Sequence, residues 1–408
     1  MMSHSVTSIQ HAIDALKAGG MIILTDDEAR ENEGDLVIAA DFATAESINF
    51  MSRFARGLIC LPMAGALIDK LDLPMMTSNN RSPYGTAFTV SIEAAQGVST
   101  GISAHDRAHT IHVAIDPNSG PLSIISPGHV FPLRAREGGV LARAGQTEGS
   151  VDLMRLAGLT PAAVICEIMN EDGSMSRRDE LAVFSAQHNI PQVSISDLIH
   201  YRIRQEHLVT AAATSRIPLQ TYGDFTMTVF HNQLDDAEHF ALVKPLRTPH
   251  QIPLVRIHSE CITGDLFGST KCDCGSQLDQ SLALIAKEGG VLIYLRQEGR
   301  GIGLANKIKA YALQEDGFDT VEANVELGLP IDSRNYAIAF QILKWMGMNT
   351  VRLLTNNPMK MVSLRSYGVI VSERVALEVA PTNENRHYLR IKQEKMGHFL
   401  MGETGQMV

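Results

Sequence analysis

Cys261, Cys272 and Cys274 fall within one short stretch, Ser259 to Gly275, with ten residues between the first two and one between the last two. Three thiolates are a suitable ligand set for zinc, a borderline-soft ion that takes sulfur readily. The Asp-Leu-Phe-Gly piece between them can turn the chain back so that the sulfurs converge. No fourth cysteine lies nearby. Three protein ligands leave one position for water, as in a catalytic zinc site. The competing reading is three buried small hydrophobes, or a redox pair with a spare. Cys-Asp-Cys closes too short a ring for an unstrained disulfide.

A second candidate is Asp26 to Asp35, DDEARENEGD, where six carboxylates surround Arg30. A solvated surface loop has this composition too. Clustered carboxylates after a buried strand also suit a hard divalent cation, with Arg30 as the charge for an anionic substrate. Thr77 to Thr89 reads as a polar functional loop. Ser126 to Pro132 places His129 between prolines on a stiff irregular segment. Gly138 to Glu148 reads as a strand entering a turn that carries Arg143 and offers N–H groups to phosphate. Glu167 ends the apolar run Ala162 to Ile168, where burial would raise its pKa.

The elements that must position these groups follow from periodicity. Ser8–Leu16 is expected as an amphipathic helix, Met21–Leu24 as a buried strand, and Ser150–Leu156 and Asp197–Gln205 as helices. His207–Gln220 reads as a linker. Tyr222–His231 and Glu238–Lys244 read as antiparallel strands, and Leu254–Glu260 as a strand delivering its end to the cysteines. Gln277–Ala286 is expected as a helix and Val291–Leu295 as a strand. The turn Arg296–Gly303 then enters a helix at Leu304–Glu315. That turn could cradle phosphate or be only tight, and it lacks a dinucleotide or P-loop spacing. Asp332 precedes an expected Asn335–Met346 helix and could simply cap it. Val351–Leu354 is a strand ending in a polar turn with Thr355 and Lys360.

The 408 residues, 45% hydrophobic and 20% charged, suit two globular domains. A net charge of −10 with no long basic run disfavours a nucleic-acid binder. Five cysteines, three of them clustered, fit a reducing cytoplasm better than a disulfide framework. No signal core or membrane-length apolar run is present.

DDEARENEGD, LDLPMM, PGHVFPLRA, the Gly-Gly-Val-Leu turn and DLMRLAG…CEI resemble 3,4-dihydroxy-2-butanone-4-phosphate synthase, over roughly residues 5 to 203. The resemblance implies an α+β homodimer that converts ribulose 5-phosphate, with Mg²⁺ or Mn²⁺, to formate and a four-carbon ketone phosphate. It implies that Arg30, Asp35 and the turn Arg143, Ala144, Gly145, Gln146 and Thr147 hold substrate. Glu31 would bind the metal as well as substrate, while His129 and Glu167 would be essential groups. The family turn carries a metal-binding His where this chain has Gln146. A Gln oxygen can ligate a cation but cannot titrate near neutral pH. The other outcome is therefore a degenerate N-terminal scaffold.

RIHSECITGD, KCDCG, RQEGRGIGL, NKIKAYALQ, DTVEAN, TNNP and EKMGH resemble GTP cyclohydrolase II, over about residues 215 to 402. That family opens GTP, releasing formate and pyrophosphate, with Zn²⁺ and Mg²⁺. By this likeness Cys261, Cys272 and Cys274 hold zinc. Arg256, Ile257, His258, Ser259, Glu260, Gln277, Glu298, Gly299, Arg300, Thr320, Thr355 and Lys360 contact GTP. Asp332 is the proton acceptor, Arg334 the nucleophile toward the α-phosphate, and Tyr311 an active-site residue. The expectation is a fused, cytoplasmic riboflavin-pathway enzyme of mixed α/β (α+β) class. Each domain, 1–205 and 206–408, would be a mixed sheet with packed helices. Rival readings are a zinc module for nucleic acid and a GTP-binding regulator without turnover.

Overall fold

The computed structural model describes residues 2–330, 332–382, 384–394 and 397–399. The motif at 394–398 thus lies partly outside the described residues, at Lys395 and Met396. The chain divides into two compact units, Met1–Arg202 and Ile203–Val408. Each is a seven-stranded mixed sheet with helices, so the α+β expectation holds.

In the first unit the strands are β1 (Ile22–Thr25), β2 (Gly34–Ala39), β3 (Cys60–Met63), β4 (Ile92–Ala94), β5 (Ile124–Arg134), β6 (Ala163–Glu167) and β7 (Gln192–Ser194), in the order β4-β5-β3-β6-β2-β1-β7. Side chains alternate between faces with period two. Ile23, Leu36, Ile38, Val164 and Cys166 pack on one side, and Ile22, Leu24, Val37, Ala39, Ala163 and Ile165 on the other. Both faces are covered. Helices Ala45–Phe50 and Ala104–Ile115 cover the first, and helices Met2–Lys17, Gln146–Ala157 and Ile195–Gln205 cover the second. A strand buried on both sides reads as a continuous apolar run, which is why β2 and β6 show so plainly in the sequence.

His129 lies within β5, and the expected irregularity is there: the pairing with β4 steps from Ile92↔Val130 to Glu93↔Ile125, and the Ser126–Pro127 peptide is cis. Two expectations need correction here. Gly139–Leu141 is a 3₁₀ turn rather than a strand. The 144–148 turn is in fact the start of helix Gln146–Ala157, with Gly145 as its N-cap.

The second unit holds β8 (Val209–Leu219), β9 (Gly223–Asn232), β10 (His239–Lys244), β11 (Leu254–Ser259), β12 (Gly290–Leu295), β13 (Thr350–Leu354) and β14 (Ile370–Val375), in the order β14-β13-β11-β12-β10-β9-β8. β8 occupies most of the expected linker. It pairs antiparallel with β9 from Val209↔Asn232 to Leu219↔Gly223, and Pro218 is accommodated because the strand is an edge. Strands β8, β9, β10 and β12 are antiparallel neighbours, whereas β12, β11, β13 and β14 run parallel. The chain leaves β11 for β12 on one side and later returns to β13 on the other. Crevices at the carboxyl ends of strands flanking such a reversal bind ligands in open α/β sheets.

Candidate active sites

The sequences that follow β11, β12 and β13 converge on an open pocket of about 1030 Å³. Cys261 lies just past β11, while Cys272 and Cys274 stand at the start of helix Cys274–Glu288. The Cys261 and Cys272 sulfurs are 3.6 Å apart, and all three sulfurs lie within 4.8 Å of one another. A tetrahedron with zinc–sulfur bonds of about 2.3 Å has sulfur–sulfur edges of about 3.8 Å, so the donor set fits the ion. Space says the same: a Cβ on Gly264 would stand 2.9 Å from Cys272 Sγ and 3.2 Å from Cys261 Sγ. The Ile262–Asp265 turn can lie against the sulfurs only because that residue has no side chain.

Hydrogen bonds from the other two thiols, helped by Lys307 Nζ at 3.1 Å, hold Cys261 far below the ordinary thiol range. Sharing with that thiolate pushes Cys272 up to about 11. Lys307 also donates to Glu298 Oε1 at 2.8 Å. Glu298 accepts further bonds from the Ile262 N–H (2.6 Å) and the Gly299 N–H (2.7 Å), so it braces the turn that carries Cys261.

Alternation along β11 aims Arg256 and His258 into the pocket and buries the Ile257 side chain. Ile257 instead contributes its carbonyl, which accepts from Lys360 Nζ at 2.8 Å. Arg256 reaches the Leu354 carbonyl (3.1 Å) and Gln277 Oε1 (2.8 Å). His258 Nε2 is 3.0 Å from both oxygens of Asp265, which also accepts from Tyr294. Arg256 Nε, His258 Nδ1 and Ser259 Oγ are buried without a protein partner. Buried polar atoms are normally paired, so three orphans within four residues at one strand end point to a polar ligand.

The cations confirm its sign. Burial lowers Arg256 to about 10. Burial, then Arg256 and Arg334, hold Lys360 well below its ordinary value. Such crowding is unfavourable unless an anion binds.

Ser259, Glu260, Gly299, Arg300, Tyr311, Thr320, Arg334 and Thr355 line the same pocket. Gly299 and Arg300 both have φ near +61°, the left-handed turn that shapes this wall. Asp332 is not in the lining. It forms a two-pronged ion pair with Arg334, through Nε at 2.9 Å and a second, shorter contact. Nor does it cap a helix, since that helix begins at Ala337. Burial works against its charge, but Arg334 outweighs it and holds the carboxyl below the usual range. Asp332 is accordingly a weak base. Lys307, Asn356, Asn357, Lys392 and His398 also line the pocket and were not singled out from the sequence.

In the first unit, Arg30 is the hub. Its Nη1 donates to Asp26 (2.7 Å), Glu31 (2.7 Å) and Gln146 Oε1 (2.9 Å). Tyr84, from the exposed 77–89 loop, donates to the Arg30 carbonyl at 2.7 Å and lies under its guanidinium. Arg143 folds back to Glu148 (2.6 Å) and the Tyr84 carbonyl (3.0 Å). Gly145 permits this, because a Cβ there would meet Arg143 Nη1 at 2.3 Å. Thr147 is buried in the helix's first turn, and Ala144 lies between Arg143 and Gly145.

Asp35 and Glu167 are direct cross-strand partners on β2 and β6. Burial raises both, and Glu167 adds to the rise of Asp35. His129 pairs with Glu93 at 2.9 Å. Among the described residues, the cysteines alone form a cluster of three or more metal-ligating side chains. Glu31 and Gln146 share a guanidinium instead.

Comparison with known proteins agrees with this division. Residues 10–201 match the family model of 3,4-dihydroxy-2-butanone 4-phosphate synthase, and residues 210–376 that of GTP cyclohydrolase II. The riboflavin biosynthesis protein RibBA of Rhodococcus jostii is 50% identical over 413 residues, spanning 98% of this chain and 99% of its own. That of Aquifex aeolicus is 51% identical over 395 residues, 96% of this chain and 97% of its own. That of Synechocystis is 51% identical over 399 residues, 97% of this chain and 72% of its own. Among solved structures, RibBX, a two-domain 3,4-dihydroxy-2-butanone 4-phosphate synthase from A. baumannii, superposes with a TM-score of 0.69 at 35% identity, covering 90% of this chain and 99% of its own. With likeness of this depth running through both halves, the chain belongs to the RibBA family of bifunctional riboflavin biosynthesis enzymes, a 3,4-dihydroxy-2-butanone-4-phosphate synthase domain joined to a GTP cyclohydrolase II domain.

Proposed function

We propose that the C-terminal half, from about residue 206, binds zinc through Cys261, Cys272 and Cys274 and hydrolyses GTP to formate, pyrophosphate and a diaminopyrimidinone phosphate. One observation carries this: the tri-sulfur cluster opens onto the same pocket as the crowded cations. Zinc held by these three sulfurs would supply the Lewis acidity that activates water for the hydrolysis. The protein's own groups do the rest. Arg256, His258, Ser259 and Gln277 present donors and acceptors to the nucleoside. Arg300, Arg334 and Lys360 neutralise the triphosphate, with Mg²⁺ sharing that charge. Arg334, always charged, acts as a phosphoryl-stabilising cation rather than an electron donor. Thr320, Thr355 and Tyr311 close the pocket around the nucleotide.

For the N-terminal half, residues 1–205, the substrate is ribulose 5-phosphate. Arg30, Arg143 and the N-terminus of helix Gln146–Ala157 receive its phosphate. Glu31 and the Gln146 oxygen would hold Mg²⁺ or Mn²⁺, which supplies stabilisation of an enediolate. Asp35, Glu167 and His129 hold or move protons, a role suited to carboxyls with raised pKa values. A second reading is favoured by Arg30, whose Nη1 lies between Glu31 and Gln146 where a cation would sit. In that reading the synthase is weak or lost. We also propose a homodimer in the cytoplasm; the dimer would cover Ile102, Leu122 and Ile125, which are exposed on the first unit.

Formate release from each substrate is the test. The zinc-loaded protein is expected to yield formate from GTP, and a zinc-selective chelator to abolish it. Formate from ribulose 5-phosphate with Mg²⁺ is expected to rise about tenfold or more in Gln146→His. No rise in that variant would contradict the ligand assignment.

A further inference from the structure

The matched GTP cyclohydrolase II region ends at residue 376, yet the chain beyond it returns to the pocket. Helix Arg386–Glu394 carries Lys392 beneath the cysteine loop, where its Nζ donates to Asp273 Oδ1 at 2.7 Å. Both side chains are nearly fully buried. Asp273 stands between Cys272 and Cys274 and takes Gln277 Nε2 at 2.6 Å on its other oxygen. Gln277 in turn holds Arg256. Upstream, Asn385 donates to the Cys272 carbonyl at 3.4 Å. Downstream, the Phe399 N–H donates to the Asn356 carbonyl at 2.9 Å, on the loop after β13.

The segment is thus pinned at both ends to walls of the pocket, and it adds two groups to the lining, Lys392 and His398. Their surroundings are cationic. Burial, then Lys392, Arg334, Lys360 and Arg300, press His398 down to about 3. An imidazole ringed by four cations is a neutral hydrogen-bonding group set inside an anion site.

We infer that Lys392 and His398 form part of the nucleotide site as contacts for the substrate's phosphate chain, and that they set the preference for a triphosphate over a monophosphate. This rests on the GTP reading above. Lys392 and His398 share the pocket with Arg300, Arg334 and Lys360, so a phosphate chain held by those cations meets both. Lys392 already leans on Asp273, so its ammonium is positioned before the ligand arrives.

The test compares GTP and GMP affinities, by calorimetry, in the full-length zinc-loaded protein, with zinc content measured alongside. Lys392→Met is expected to weaken GTP by about tenfold or more and GMP by under about threefold, with zinc retained. Lys392→Arg should restore most of the loss. His398→Ala, which breaks no ion pair, should weaken GTP by about fivefold, again with less effect on GMP. Equal losses for the two nucleotides, or loss of zinc in Lys392→Met with no effect of His398→Ala, would make the segment only a brace for the cysteine loop and overturn the inference. Wild-type protein that bound no GTP would sink the parent reading and this one with it.

Discussion

At the scale of single residues, the cysteine site depends on a glycine as much as on its sulfurs. Gly264 has no unusual φ; it is demanded by space, with two sulfurs within about a van der Waals radius sum of its missing Cβ. Gly264→Ala is therefore expected to displace the Ile262–Asp265 turn. The cost is about 1–3 kcal/mol of stability and about tenfold in zinc affinity, read by melting and competitive chelation. Unchanged zinc affinity would show that the turn can yield. The cysteines were legible because their type and spacing are the chemistry itself. Gly264 was not, since nothing local distinguishes a glycine needed for space from one in a loose turn. Lys307 was hidden for a related reason. On helix Leu304–Glu315 it reads as one of several surface lysines, and its burial against Cys261 and Glu298 is a tertiary fact.

Among the elements, β8 is the instructive failure. Nearly all of its residues are exposed, because it is the edge of its sheet, so the strand has no apolar face and its TAAATSR run imitates a linker. The parallel strands β11, β12 and β13 were legible because their cores are continuous apolar runs. The pairing of β2 with β6 has a consequence for pH. It sets buried Asp35 opposite half-buried Glu167. Both folded-state pKa values lie above their unfolded ones, Asp35 by more, chiefly through burial. A raised carboxyl adds stability that is full below the unfolded value, about 3.9, and is lost as pH rises through the folded value. In metal-free protein, Asp35→Asn should therefore gain on wild type as pH rises from about 4.5 to about 8, seen as a widening melting-temperature difference. A difference that stayed constant across that range would contradict the raised pKa of Asp35.

For the molecule as a whole, a net charge of −10 coexists with a pocket walled by Arg256, Arg300, Arg334, Lys360 and Lys392. Composition excluded a nucleic-acid surface yet could not reveal this inward concentration of positive charge, which depends on five separate chain segments meeting at one sheet end. The two units, Met1–Arg202 and Ile203–Val408, each carry their own sheet and their own candidate site. No described helix is long and apolar enough to cross a membrane. In the proposed reading, what joins sequence to activity in the second unit is the three-cysteine cluster as a metal centre open toward the pocket. X-ray absorption at the zinc edge on the reconstituted full-length protein tests that most directly. The account predicts one zinc per chain bound to three sulfurs at about 2.3 Å and one oxygen. A fourth sulfur or an imidazole nitrogen in that shell, or a protein that takes up no zinc, would contradict it.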